Sequence, residues 1–141
     1  MDFQTVRVAA PSVPAAGATV ALFDSTTVFG GGKRMSLFSV GRVELGFPGI
    51  DQASAASGLK GYTSSDGGTT WDPFSFNING STGSLPLTVS AATATDYSAY
   101  DIYVAGHDDV KFTFTAGTIA PTANTWRPEV TYRIGDVHAG S

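Results

Sequence analysis

The chain has 141 residues, 42% of them hydrophobic, and at that length one domain can bury about two thirds of its unfolded surface. Its net charge is −4, only 14% of its residues are charged, and it has no cysteine. These values exclude a chain disordered throughout, a disulfide-stapled scaffold, a thiolate metal site and a cysteine nucleophile. Without a basic face they also predict no nucleic-acid partner.

The composition favours strands over helices. Gly, Ala, Ser and Thr make up 66 of the 141 residues, whereas Glu occurs twice and Lys three times. Surface helices usually rely on Glu, Lys, Leu and Arg, so long amphipathic helices lack their usual residues here. Thr, Val, Phe and Tyr suit the pleated, half-buried surface of a sheet. We therefore predict an all-β fold.

The sequence has no pattern of membrane insertion or export. No apolar run approaches the ~20 residues that a membrane-spanning helix needs, so we predict no membrane partner. The first residues have neither the charged segment nor the apolar segment of a signal peptide. Together with the lack of cysteine, this predicts assembly in a reducing cytoplasm.

The N-terminal segment has two interpretations. Val6 and Val8 alternate with polar residues, and residues 9–17 contain two prolines that favour an extended backbone. In the first interpretation, residues 1–17 form an extended arm on which Phe3, Val6 and Val8 contact a partner. In the second, the alternating segment is the first strand of the domain's own sheet.

Alternation and turn residues predict further strands along the chain. They fall at residues 18–23, 36–45, 59–64, 70–78, 85–89, 100–104, 110–115 and 126–134. Gly41 is expected to mark a bulge, and Pro128 a sheet edge, because proline cannot donate a ladder hydrogen bond. About eight to nine short strands predict a single domain over residues 1–141, a β-sandwich or jelly roll.

Residues 100–115 have the pattern of a β-hairpin. Two alternating segments flank the turn Gly106-His107-Asp108-Asp109. The histidine and the two aspartates are residue types found in metal or acid–base sites, but a zinc or calcium site needs more ligands at defined spacing. We therefore interpret this segment as a solvated turn.

The most specific motif lies at residues 64–71, the Asp-box turn, with Ser64, Asp66, Gly68, Thr70 and Trp71 at its pattern positions. It resembles the Asp box of sialidase-like propellers, where this motif is a structural hairpin away from the catalytic site. Aspartate can accept backbone hydrogen bonds within the turn, and glycine allows positive φ. We expect the tryptophan of the motif to be buried in the core.

Trp126 opens the last predicted strand. Further apolar residues alternate along that strand, so we expect this tryptophan to be buried too.

No other motif predicts chemistry. The segment Gly30-Gly31-Gly32-Lys33-Arg34 lacks the spacing and the hydroxyl residue of a phosphate-binding loop. We interpret it as a surface loop whose Lys33 and Arg34 contact an acidic partner surface. Asn79-Gly80 reads as a tight turn. We predict no catalytic residue, no metal ligand and no cofactor, and that the chain is not an enzyme.

These features together are similar to those of small β-sandwich and jelly-roll decoration, neck and tail proteins of tailed bacteriophages. The resemblance spans the whole chain and implies a virion protein assembled in the host cytoplasm. Its expected role is a capsid decoration or cement protein that stabilises the shell by multivalent surface binding. The implied partners are the major capsid protein or another virion protein, and further copies of the chain, with a trimer favoured.

Two alternatives remain open at this point. One is a carbohydrate-binding or adhesive β-sandwich module, which would need an exposed aromatic platform. The other is a structural protein of the phage neck or tail.

Overall fold

A computed structural model describes residues 2–28, 40–48, 58–73, 77–78, 87–88, 97–104, 108–123 and 126–136. Strands dominate these ranges, as the composition predicts. In chain order they are β1 (Asp2–Val8), β2 (Thr19–Asp24), β3 (Val40–Pro48), β4 (Gly58–Ser64), β5 (Asp72–Pro73), β6 (Asn77–Ile78), β7 (Leu87–Thr88), β8 (Tyr97–Tyr103), β9 (Asp109–Thr115) and β10 (Glu129–Asp136).

The strands pair as a nested set. From the two ends of the chain inward, β1 pairs with β10, β2 with β9, β3 with β8, and β4 with β5, all antiparallel. Pairing of β10 with β3 and of β9 with β4 joins these pairs into two sheets. The first sheet has the order β1-β10-β3-β8-β6, and the second has β2-β9-β4-β5, with β7 also paired to β4. This is the strand order of a jelly roll, one of the two predicted architectures.

The core lies between the two sheets. Phe23, Phe112 and Phe114 of the second sheet are almost completely buried, as are the aliphatic residues that face them from the first sheet. The ring of Phe23 lies 5.8 Å from that of Tyr132, so an aromatic contact bridges the sheets. The inward residues follow the period-2 alternation of the sequence, which is why most strand positions could be predicted.

The N-terminal segment is part of the domain's own sheet. Strand β1 pairs with β10 over all seven of its residues, with Val8 opposite Val130. Residues 9–17 then cross to the second sheet, where the Gly17 amide donates to the Gly117 carbonyl at 2.9 Å. The structure therefore agrees with the second interpretation, in which this segment is the first strand of the domain's own sheet.

The predicted hairpin at residues 100–115 is wrong. Strand β8 pairs with β3 and β6 in the first sheet, whereas β9 pairs with β2 and β4 in the second. The chain therefore crosses from one sheet to the other between these strands. Both strands bury alternate residues in the same core, and a period-2 pattern marks the buried face of a strand without specifying its partner.

The predicted bulge at Gly41 is wrong as well. Gly41 pairs in register with Ile134, and the irregular position lies instead in β2, between Ala21 and Phe23. The predicted sheet edge at Pro128 is also wrong, because β10 lies between β1 and β3 in the first sheet. The strand begins directly after Pro128, which has no amide hydrogen to donate to the ladder.

Helix α1 (Ser25–Val28) is a single turn at the end of β2. Its start is capped by Asp24, whose carboxylate accepts the Thr26 amide hydrogen at 3.0 Å. Among the described residues, no helix has the length and apolarity required to cross a membrane.

The burial of Phe112 in the core predicts a large loss of stability when its side chain is truncated. Replacing this fully buried side chain with alanine should lower the free energy of unfolding by about 3–5 kcal/mol, because it leaves a cavity between the sheets. Ile119→Ala, at a site 60% exposed, should change it by less than about 0.5 kcal/mol. Urea unfolding of both variants measures the difference, and equal losses would place the core elsewhere.

Candidate functional site

Side-chain and backbone hydrogen bonds hold the Asp-box turn. The Ser64 hydroxyl accepts the Gly68 amide hydrogen at 3.0 Å and donates to the Asp66 carboxylate at 2.7 Å. Asp66 in turn accepts the Thr70 amide hydrogen at 2.8 Å. The turn joins β4 to β5, with Thr63 opposite Asp72, so the predicted hairpin is present.

These hydrogen bonds stabilise the ionised form of Asp66. The Thr70 amide and the Ser64 hydroxyl lower the pKa of Asp66 to about 2, although the carboxylate is fully exposed. Hydrogen bonding to the charged form is the cause, and no cation is required. The aspartate therefore has a structural role in the turn.

Glycine is required at two positions of this turn. Gly67 and Gly68 have φ angles of 74° and 93°, which other residues rarely adopt. A Cβ atom on Gly68 would also lie 3.0 Å from the Cγ2 atom of Thr26 in α1. The turn thus packs against the helix that follows β2.

Trp71 does not reach the core, so this part of the motif prediction is wrong. The side chain is only half-buried and lies on the outer surface of the second sheet. The Lys111 ammonium is 4.5 Å from the centre of the Trp71 ring and 5.4 Å from that of Tyr62. A cation–π cluster therefore fastens the turn to β9.

Trp126 is buried, with 8% of its surface exposed, as the sequence predicts. Its ring lies 5.2 Å from that of Phe114, and its indole N–H donates to the Pro11 carbonyl at 2.8 Å. This tryptophan joins the crossing segment to the core.

Asp109 is not part of a solvated turn, contrary to the sequence interpretation. It is 3% exposed and accepts a hydrogen bond from the Ser25 hydroxyl at 2.8 Å. Ser25 is itself fully buried and accepts the Val110 amide hydrogen at 3.0 Å. A serine with no exposed surface cannot attack a substrate, so this pair serves to hold α1 against β9. His107 lies outside the described residues.

The outer face of the first sheet holds an ion-pair network that the sequence pattern did not predict. Among the described side chains it comprises three cross-strand pairs, two of them at 3.6 Å and 3.5 Å: Arg7–Glu129, Arg133–Glu44 and Arg42–Asp101. The hydrogen bonds that Arg42 donates to the Asp101 carboxylate raise the pKa of Arg42. Both glutamates of the chain belong to this network. The strand alternation places these charged residues at outward positions, so their exposure could be predicted from the sequence. Which arginine pairs with which carboxylate depends on the register of the sheet.

The two sheets leave one side of the sandwich open, between β1 and β2. Val6 faces inward opposite Tyr132 but is 37% exposed, because it lies on the edge strand. A groove of about 230 Å3, the rim groove, lies on this side of the sandwich, and its lining includes the apolar residues Val8, Pro11, Leu22 and Val28 as well as Asp24. The predicted partner contacts Phe3, Val6 and Val8 thus all lie on β1.

The remaining predictions concern the basic loop, the Asn-Gly turn and metal ligands. Lys33 and Arg34 lie outside the described residues, as does Asn79-Gly80. Within the described ranges, no group of three or more His, Asp or Glu side chains is placed to hold a metal ion.

Comparison with family models gives no match, and comparison with curated proteins gives no significant match.

The different burial of the two tryptophans predicts unequal effects on stability. Trp126→Ala should cost about 3–5 kcal/mol of unfolding free energy, because it removes a buried ring. Trp71→Ala should cost on the order of 1 kcal/mol, the size of an exposed cation–π contact. Urea unfolding compares the two, and similar losses would contradict the placement of Trp71.

The lowered pKa of Asp66 predicts a pH-dependent effect of Asp66→Asn. A folded-state pKa of about 2 lies below the ordinary value of 3.8, so the ionised carboxylate stabilises the fold above about pH 4. That contribution is lost as the pH falls through about 2. The urea midpoint of the variant should be lower than that of the wild type at pH 7, and the difference should shrink towards pH 2.

Asp72→Asn, at an exposed aspartate in β5, is the matched control. A midpoint difference for Asp66→Asn that stays constant from pH 7 to pH 2 would show that its charge does not hold the turn.

Proposed function

We propose that the protein is a non-enzymatic structural protein of a virion, a capsid decoration or cement protein that binds the major capsid protein or another virion protein. It works as a homo-oligomer, with a trimer favoured. The observation that carries this proposal is the open side of the sandwich, where an edge strand and the apolar rim groove are exposed together. Exposed apolar surface of this kind is typical of protein–protein contact.

The internal use of the polar groups supports a contact function. The Ser25–Asp109 pair is buried, Asp66 holds its own turn, and the outer charges of the first sheet are matched as ion pairs. In the part of the chain that the structure describes, these groups therefore contribute to stability. The geometry of these groups therefore favours a protein that acts by burying its surface against other proteins.

Repetition on a shell would compensate for a small contact area. A groove of about 230 Å3 accepts a few apolar side chains, which is a weak contact on its own. Copies linked to one another bind a repeating surface with a high effective concentration, so weak contacts become persistent. A neck or tail location would rely on the same physics.

The aromatic residues on the second sheet give little support to a carbohydrate-binding module. Tyr62 and Trp71 are both half-buried, and the Lys111 ammonium covers one face of each ring. A sugar stacks on an open ring face, and these rings instead hold the Asp-box turn.

Co-sedimentation with purified virus particles tests the proposal. The wild-type chain should sediment with particles and should be located on them by immunogold labelling. Ala9→Asp places a charge in the rim groove and should reduce binding at least about tenfold, because it would desolvate a carboxylate in an apolar contact.

Ala10→Asp is the matched control, because Ala10 is the exposed neighbour of Ala9 and does not line the groove. It should bind like the wild type. A wild-type chain that is absent from particles and does not bind them would overturn the proposal.

A further inference from the structure

The exposed edges of the two sheets differ in how well they are protected against pairing with another strand. Natural edge strands are usually short, bulged, or interrupted by proline. Among the described strands, β5 and β6 have two residues each, and β5 contains Pro73. Strand β2 is irregular between Ala21 and Phe23, where its register with β9 shifts.

Strand β1 is neither short, bulged nor interrupted by proline, and its two charged residues, Asp2 and Arg7, lie towards its two ends. It has seven residues, contains no proline, and runs beside β10 without a register shift. No described strand pairs with its other edge. A regular edge of this length presents a row of backbone donors and acceptors that another strand can satisfy.

We propose that β1 pairs with β1 of a second copy of the chain, antiparallel, with Thr5 opposite Thr5. The two first sheets then form one continuous sheet across both copies. The inference rests on the proposed function only for its role on a shell, since the contact itself requires nothing but two copies.

The sequence of β1 is self-complementary in this register. All seven residues are paired, whereas any shift pairs fewer of them. In this register Phe3 pairs with Arg7 and Thr5 pairs with Thr5, so an uncharged residue lies opposite the arginine. No two like charges are opposite one another, because Asp2 and Arg7 each face an uncharged residue.

The proposed contact has two-fold symmetry, because the same strand of each copy supplies both sides of it. It therefore cannot build a trimer, which would require a different surface of the domain. On a particle, pairing of β1 would join neighbouring oligomers to one another. The proposed contact thus adds links within a decoration layer to the contacts with the shell.

A single engineered cysteine tests the register, since the chain has none of its own. In Thr5→Cys, the two cysteines would face each other with Cα atoms about 4.5–5.5 Å apart, within the range that a disulfide spans. Mild oxidation should link most of this variant into covalent dimers on a non-reducing gel.

Arg7→Cys is the matched control on the same strand and face. In the proposed register its two cysteines would be separated by four residues along the strand, about 14 Å, so they should not link. Links that form equally in both variants would show random collision and would overturn the register.

Sedimentation velocity tests the contact without oxidation. Thr5→Lys places two ammonium groups opposite each other on an exposed face, so it should separate the units that β1 joins and lower the mass of the assembly, while the circular dichroism spectrum stays unchanged. Thr118→Lys, in an exposed loop, should keep the wild-type mass.

The outcomes separate this inference from the proposed function. A wild-type chain that stays monomeric at concentrations well above those of the co-sedimentation assay, with no Thr5→Cys dimer, overturns the pairing even where particle binding persists. A Thr5→Cys dimer from a chain that does not bind particles supports the pairing and overturns the virion role.

Discussion

The packing of β9 across the sandwich is the interaction on which the rest of the structure depends. Its inward residues Phe112 and Phe114 are fully buried against the first sheet, and the strand lies between β2 and β4. Its outward residues hold the surface features, because Asp109 fixes α1 and Lys111 fixes the Asp-box turn. One strand therefore supplies the centre of the core on one face and the supports of two turns on the other.

The nested pairing also decides where the molecule is open. Because β1 pairs with β10 and β2 with β9, the first two strands become edges of different sheets on the same side of the sandwich. The segment between them is held by the hydrogen bond from Trp126 to Pro11, and the rim groove lies alongside. The surface that we propose for contact is thus a direct result of the topology. Its apolar character comes from core residues that an edge cannot fully cover.

The outer faces of the two sheets carry different kinds of polar side chain. On the first sheet, arginines and carboxylates alternate across strands and neutralise one another, as Arg133 and Glu44 do at 3.5 Å. On the second sheet, hydroxyl groups prevail, and the Thr19 and Thr115 hydroxyls share a hydrogen bond of 2.8 Å. The charges of these pairs therefore balance one another on the outer face of the first sheet.

The sequence by itself determined most of the strands, their buried faces and the turn at residues 64–71, since alternation and turn chemistry act over a few neighbouring residues. The strand predicted at residues 70–78 is wrong, because β5 and β6 lie in different sheets. Only the tertiary structure decided that β8 and β9 lie in different sheets, that Asp109 is buried and that Trp71 is not. Each of these depends on which distant strand lies alongside. An alternating segment fits any partner that offers an apolar face, so the choice is made by the packing of the whole core.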